Sequence, residues 1–475
     1  MTSETTTRHE QDSGQQPDPR RWRILGVSLV VGFMSLLDIS IVNVAVPSMQ
    51  QGLHTSTGTV QWVVSGYALA FGLTLVAGGR LGDAYGRRRM MLIGLVGFVL
   101  ASAAVGLAPT ALLVVAARLL QGLAAGLLTP QNSGLIQQLF HGKERGKAFG
   151  VFGFTVSVSS ASGPVLGGLI LAAAGTHDGW RYLFLINVPI GLVALFFVAR
   201  MVPGRSEAAA DARIDLPGAL LLGGLVLSVL YPVVSVEGHA YWALPLLVLA
   251  PVFGWGFVRW ERRTVSRGHS PLLDVSLLRR APGYAGGLAI GTLYFTGFTG
   301  LVLVTSFYLQ QGLGMSPLHA GLLIAPYAVG SAISAPIAGS FVSDVGRKIT
   351  VGAVAAVIVG VAALAVLAPL QPAGRLWLVS VPALLFAGLG GGAVVSPNLT
   401  LSLAEVPPAM GGAAGGALQT GQRIGSSIGS ALLMTAYSVT AAHASEHDAL
   451  RIALATAVVL LAVALAMAIR DWLRG

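Results

Sequence analysis

Apolar runs of about 20 residues recur along the whole of this 475-residue chain, each closed by a charged or turn-rich break. That pattern admits few folds. A helix rising 1.5 Å per residue needs roughly 20 residues to cross about 30 Å of hydrocarbon, and inside hydrocarbon each backbone polar group must find its partner within the protein. The expected fold class is therefore an all-α integral membrane bundle. Runs start near Ile24, Val60, Met90, Ala111, Gly146, Tyr182, Leu216, Tyr241, Gly283, Leu318, Ile349, Leu376, Met410 and Leu450, which predicts fourteen transmembrane helices, the eighth interrupted by Pro245 and Pro251. With 54% hydrophobic and 10% charged residues, no stretch remains for a separate soluble domain.

An even helix count puts both chain ends on one side, and the basic residues say which. Of 29 Lys and Arg, 24 fall in the terminal segments and alternate loops, only Arg181, Arg375 and Arg451 in the intervening loops, and Arg118 and Arg423 within spans. Excess basic charge stays cytoplasmic, so both termini are expected there. The net charge of +10 is thus a matter of topology and gives no ground for nucleic acid. Seven of the eight Trp (22, 62, 180, 242, 260, 377 and 472) lie near span ends, as an interfacial aromatic belt requires. Only three of the basic residues are Lys, a bias that fits a GC-rich bacterial genome. Residues Met1 to Pro19 are polar, lack the apolar core of a signal peptide, and read as a disordered cytoplasmic tail within a segment 1–22.

Composition also excludes chemistry. Zero Cys rules out disulfides and thiolate metal sites, and all nine His fall outside the deep parts of the spans. No Gly-x-x-x-x-Gly-Lys-Ser/Thr loop occurs, so ATP is not the expected energy source, and no cofactor is implied.

An internal repeat organises the chain. Gly79-Arg-Leu-Gly-Asp83-Ala-Tyr-Gly86-Arg87-Arg88 recurs as Gly339-Ser-Phe-Val-Ser-Asp344-Val-Gly346-Arg347-Lys348, and Thr129-Pro130-Gln-Asn132 is echoed by Ser396-Pro397-Asn398. The simplest arrangement is a six-helix half at 23–202, two inserted helices with flanking loops at 203–280, and a second six-helix half at 281–475. Duplicated halves of this kind carry their site near the bilayer midplane, between them.

Of the 19 Asp and Glu, Asp38 alone lies deep within a span. An intramembrane charge costs a few kcal/mol and usually marks an ion or substrate path, the alternative being a side chain bonded to a neighbouring helix for packing alone. Asp38 precedes Pro47 by nine residues, about 13.5 Å of helix, and Arg118 follows Thr110 by eight, about 12 Å. Counted separately on two helices, acid and base reach the same depth. Burial penalises a charged acid and a nearby guanidinium stabilises it, so a proton on Asp38 can respond to conformation; a static buried ion pair is the other reading.

Four motifs carry a resemblance that covers nearly the whole chain. They are Leu37-Asp38-Ile39-Ser40-Ile41-Val42-Asn43-Val44-Ala45-Val46-Pro47 on helix 1, Gly79 to Arg89 between helices 2 and 3, Arg118-Leu-Leu-Gln121-Gly122 on helix 4, and Ser162-Gly163-Pro164-Val165-Leu166-Gly167-Gly168 on helix 5. Together they resemble the 14-helix drug:proton antiporter branch of the major facilitator superfamily. The resemblance implies proton coupling at Asp38 and Arg118, and a conformational gate at Gly79, Gly82, Asp83, Gly86, Arg87 and Arg88 with Asp344 and Arg347 in the second copy. It also implies an antiporter signature at Gly163, Pro164, Gly167 and Gly168, and a substrate cavity to which Ser40, Asn43 and Gln121 contribute; Gln419 and Arg423, one turn apart on helix 13, are added to that cavity by their depth alone. Ser40 stands where the branch has Thr, and Ala84 where it often has a basic residue. On the residues alone, the Gly79 loop could serve only to fix topology, and Gly163-x-x-x-Gly167 only to let helices approach closely.

Arg423 has no acid within the second half to neutralise it, since Asp344 and Glu405 fall in loops. Either carbonyls of its Gly-rich helix satisfy it, or it faces the cavity and turns the site against dications. The expected function is export of small amphipathic drugs or antibiotics across the cytoplasmic membrane in exchange for protons. A proton-coupled uptake symporter of the same fold and a non-transporting receptor or scaffold are the alternatives. An enzyme is not expected, for want of a convergent set of polar catalytic groups.

Overall fold

A computed structural model describes residues 18–55, 57–175, 177–204, 215–237 and 241–474. The predicted tail falls largely on 1–17, outside the described residues. Fourteen helical segments follow one another: α1 Arg21–Gly52, α2 Thr57–Tyr85, α3 Arg87–Leu107, α4 Ala111–Leu139, α5 Gly142–Ala174, α6 Trp180–Met201, α7 Leu216–Glu237, α8 Leu249–Ser266, α9 Pro282–Phe307, α10 Pro317–Val345, α11 Lys348–Leu367, α12 Trp377–Ser402, α13 Gly411–Ala441 and α14 Glu446–Arg474. No strand occurs among the described residues. A 3₁₀ stretch, Tyr241–Val248, leads into α8, where the sequence has Pro245 and Pro251.

Thirteen spans are long and apolar enough to cross a bilayer by length and composition. The fourteenth segment, α13, is 31 residues long but Gly-rich and polar, and much of its length is buried against other helices. It needs no lipid-facing apolar surface, which is why hydropathy misses it. Two helices begin four residues before the sequence expectation: α5 at Gly142 and α14 at Glu446. Their first turns carry Glu144, and Glu446 with Asp448. Acids there complement the partial positive charge of a helix start, so polar residues extend the helix beyond its apolar run.

The apolar packing divides the molecule. One cluster, from Tyr294 and Leu301 to Leu454 and Leu461, belongs to α9–α14 and its connecting turns alone. Two others lie within α1–α6. A fourth joins the halves, setting Leu25, Ile136, Phe149 and Phe152 against Tyr284, Leu399, Leu403, Ala414 and Leu418. The inserted α7 and α8 dock across the junction, with Phe257 and Leu272 against Val76 of α2 and Ala417 of α13, and Val226 and Leu230 against Leu69.

The halves meet near the face that carries both described chain ends, called the basic face below. The Gln137 amide donates to the Leu403 carbonyl at 2.6 Å and Lys143 pairs with Asp344 at 2.6 Å, and at mid-depth Ser157 hydrogen bonds Ser331 at 3.0 Å. Toward the opposite face, the cluster around Ile41, Met49, Val60, Val114 and Trp180 includes no residue of the second half, while Ile424 of α13 packs with Leu69 and Trp62 of α2. Polar contacts between the halves thus close the bundle at the basic face. One aromatic expectation is corrected: Trp180 is fully buried in that last cluster and does not belong to an interfacial belt, whereas Trp242 and Trp377 are well exposed.

Candidate coupling site and gate

Asp38 and Arg118 meet inside the first half, each 1% exposed. The Asp38 Oδ2 oxygen is paired with Arg118 Nη1, and Oδ1 accepts from Gln121 Nε2 at 3.0 Å and from Asn187 Nδ2 at 2.9 Å. Arg118 in turn donates from Nε to the Val63 carbonyl at 2.9 Å and from Nη1 to Gln121 Oε1 at 2.8 Å, and its guanidinium lies 4.2 Å from the Tyr67 ring centre. Three helices supply these groups: Asp38 from α1, Arg118 and Gln121 from α4, and Asn187 from α6. A buried charge is tolerable when paired and hydrogen bonded, and here both carboxylate oxygens accept.

The remaining candidates fall in different places. Gln121 is fully buried and serves the ion pair, also donating to Ser102 Oγ at 2.7 Å; it does not line a cavity in this structure. Ser40 donates to the carbonyls of Leu37 and Ser159, both at 3.0 Å, which ties α1 to α5. It does so against Gly163, where a Cβ would stand 2.6 Å from that of Ser40. Gly163 is therefore a point of close α1–α5 approach; Gly167 is buried and Gly168 has open space around it. Pro164 lies within α5, and the side chains of Pro164 and Asn43 are outside the described residues. Gln419 is buried and reaches Ser133 Oγ across the halves at 3.4 Å.

At the basic face Asp83 closes the junction. Its carboxylate accepts from the backbone amides of Gly412 at 3.1 Å and Ala413 at 2.9 Å, the first turn of α13, and from Arg87 at 2.8 Å. Free amides and the helix dipole make a helix start an anion site. Close approach requires Gly79, where a Cβ would run into the Gly412 carbonyl, and equally Gly412, where a Cβ would lie 2.6 Å from the Gly79 carbonyl oxygen. Gly86 turns the chain at φ 93°, a conformation that favours glycine. Gly82 faces the Gln131 side chain, and Arg87 also reaches the carbonyls of Gly134 and Pro408, the latter across the halves at 2.9 Å. Arg88 turns away to the Ala199 carbonyl within the first half.

The second copy behaves otherwise. Asp344 is half exposed and pairs only with Lys143 on α5, not with a helix start. Arg347 stays within its own half, bonded to Asn398 Oδ1 at 2.8 Å, the Gly283 carbonyl at 2.7 Å and Asp471 at 2.6 Å. The single-residue shift of Asp344 relative to its glycines accounts for the difference, since one helical position rotates a side chain by about 100°.

Arg423 projects from α13 toward α2. It is half-buried, its guanidinium 5.0 Å from the Phe71 ring centre, with no acid and no hydrogen-bond acceptor among the described residues. Asn187 and Ser102 were not singled out from the sequence; the available signal was a polar residue inside an apolar run, with Pro189 following the first. A second buried acid also emerges at the end of the inserted pair. Glu261 is 0% exposed and faces Asp215 across Gly218, with the backbone amides of Leu272 and Leu273 near its carboxylate. Asp215 is itself occupied by Trp260 Nε1 at 2.8 Å and the Gly218 amide at 2.9 Å.

A duplicated membrane bundle, closed at one face and holding an enclosed acid–base pair at mid-depth, is the architecture of a secondary transporter. The sequence profile described as Major Facilitator Superfamily matches residues 28–430, and the chain belongs to that superfamily. Among relatives, a probable actinorhodin transporter of Streptomyces coelicolor is 38% identical over 85% of this chain and 70% of its own length. The puromycin resistance protein of Streptomyces alboniger is 37% identical over 84% and 78%. The tetracenomycin C resistance and export protein of Streptomyces glaucescens is 33% identical over 73% and 64%. The fold is shared with the human organic anion transporter MFSD10, at TM-score 0.70 and 15% identity over 95% of this chain and all of that one. It is shared also with the proton:xylose symporter XylE, at TM-score 0.66 and 17% identity over 94% and 95%.

Proposed function

We propose that the protein exports small amphipathic compounds, antibiotics among them, across a bacterial cytoplasmic membrane in exchange for protons, with its basic face and both termini in the cytoplasm. The observation that carries the reading is the Asp38 cluster, an acid at mid-depth whose charge is met by Arg118, Gln121 and Asn187 while the basic face is closed. Three relatives named for antibiotic transport, resistance or export support the direction and the substrate class.

In this reading the face opposite the basic one is extracellular and Asp38 is the proton carrier. A proton arriving from outside neutralises Asp38, which releases Arg118 and the two amides and loosens α1 from α4 and α6. The Asp83 contact with α13 then opens, and the proton leaves to the cytoplasm as substrate binds. Each proton entering against a neutral molecule leaving gains about 2.3 kcal/mol per 100 mV, roughly a 50-fold gradient. The test is a panel of antibiotics, dyes and amino acids added to inside-out vesicles holding a preformed pH gradient. Compounds that the protein exports release the gradient in the parent and not in Asp38→Asn. Gradient release that survives in that variant overturns the assignment, and release only from right-side-out vesicles makes the protein an uptake symporter.

A further inference from the structure

Arg423 is the one guanidinium near the middle of the bundle whose charge the described protein leaves unmet. Its helix-mate Gln419, one turn nearer the basic face, makes an inter-half hydrogen bond, to Ser133. Arg423 therefore lies one turn beyond that inter-half contact, away from the basic face. The carbonyls of the Gly-rich α13 do not satisfy it, and its described contact is the face of Phe71. The nearest polar groups are already engaged. Asp38 is saturated by Arg118, Gln121 and Asn187, and the Tyr67 hydroxyl donates to the Ser35 carbonyl at 3.1 Å. Ser426, one turn beyond Arg423, accepts from Thr299 at 2.9 Å.

The packing behind it is aromatic, since Tyr67 and Phe71 are each 1% exposed. Tyr67 and Phe71 stack on α2 with ring centres 6.1 Å apart and planes 8° apart, Arg118 lying over the first ring and Arg423 over the second. Ile424 packs beside Leu69 and Trp62, so the neighbourhood is otherwise apolar. A guanidinium remains charged in proteins and presents five N–H donors in a planar fork. In a site of low polarity, the ligand that meets it best is a planar anion bound through two oxygens, with an apolar body in the otherwise apolar surroundings.

We propose that Arg423 is the anion-recognising residue of the substrate site, selecting amphipathic compounds with a carboxylate or similar planar monoanion over neutral and cationic analogues. The proposal rests on the export reading and deepens it. It has an energetic corollary: a monoanion leaving as one proton enters moves two charges in the same sense, so export depends twice as steeply on membrane potential as that of a neutral compound.

The test uses the purified full chain and three isosteric probes, naphthalene-2-carboxylate, naphthalene-2-carboxamide and (2-naphthylmethyl)trimethylammonium, measured by equilibrium dialysis. The parent should bind the carboxylate at least about tenfold more tightly than the amide, and the ammonium least. Arg423→Gln should abolish that ratio while changing amide binding less than about twofold, and Arg423→Lys should keep part of it. A thermal melt of each variant separates lost folding from lost recognition. Equal binding of acid and amide by the parent, preference for the ammonium, or equal weakening of all three in Arg423→Gln overturns the proposal. Because binding is read at equilibrium without a gradient, a protein that shows the ratio but releases no pH gradient in vesicles refutes the export reading and leaves the anion preference standing.

Discussion

Asp38 accepts three hydrogen bonds or ion contacts from two helices other than its own, and that saturation decides what its removal does. In Asp38→Asn the Arg118 guanidinium keeps Val63, Gln121 and Tyr67 but loses its counter-charge. Breaking one side of a buried pair costs about 3–5 kcal/mol, so the variant should insert into the membrane with a clearly lowered melting temperature. Adding Arg118→Gln should recover much of the loss while leaving coupling absent, measurable as a double-mutant cycle by thermal melts alongside gradient release. A double variant no more stable than the single ones would mean the pair is not a unit. At this scale the acid and the base were legible, because depth can be counted along two helices from their ends. Asn187 was not, since a single Asn in an apolar run does not announce which neighbour it faces. Gln121 could be placed on helix 4 but not on the correct side of it, because whether a polar side chain faces a cavity or a buried ion pair depends on rotation about a helix axis fixed only by packing.

Among the elements, α2 and α13 are held by a carboxylate on a helix start, an interaction of roughly 1–2 kcal/mol in a partly buried setting. Losing it should shift the closed-to-open ratio at the basic face about 5- to 30-fold. Since Asp83 lies at that face, Asp83→Asn should slow transport of every substrate by a similar factor; selective loss of one compound in a transport panel would show that it acts on substrate choice. The inserted pair offers a different experiment. Glu261 is buried opposite Asp215, with the Leu272 and Leu273 amides near its oxygens. Glu261→Gln keeps the shape and removes the like charge, so its melting temperature should match or exceed that of the parent, by up to a few degrees. A fall of several degrees would show that those amides hold the ionised carboxylate. Apolar runs located these helices, yet their ends and pairings needed the structure. The polar first turns of α5 and α14 lie outside any hydropathy signal, and the Arg347–Asp471 pair joins segments 124 positions apart in sequence, with no repeat to suggest it.

The whole molecule is closed at one face by contacts that must break together if it is to open there. Asp83 on α13, Arg87 on the Pro408 carbonyl, Gln137 on the Leu403 carbonyl and Lys143 on Asp344 span the junction from α2 to α5. None is large alone, and the exposed Lys143–Asp344 pair contributes about 1 kcal/mol or less. Their effect lies in position, since each bridges the two halves and resists the same separation. The natural chain has no Cys, so introduced thiols react without background. Lys143→Cys with Asp344→Cys, joined by a short bifunctional maleimide, should therefore arrest transport of all substrates. Each single variant, treated the same way, should retain transport within about twofold of the parent, as expected for a weak exposed pair. The arrested protein should still bind the naphthalene carboxylate from the face opposite the cross-link, because the bridge at Lys143 and Asp344 leaves that side free to open. Transport that continues at the parent rate with the bridge shown complete by gel shift would mean that the halves do not separate at the basic face during the cycle.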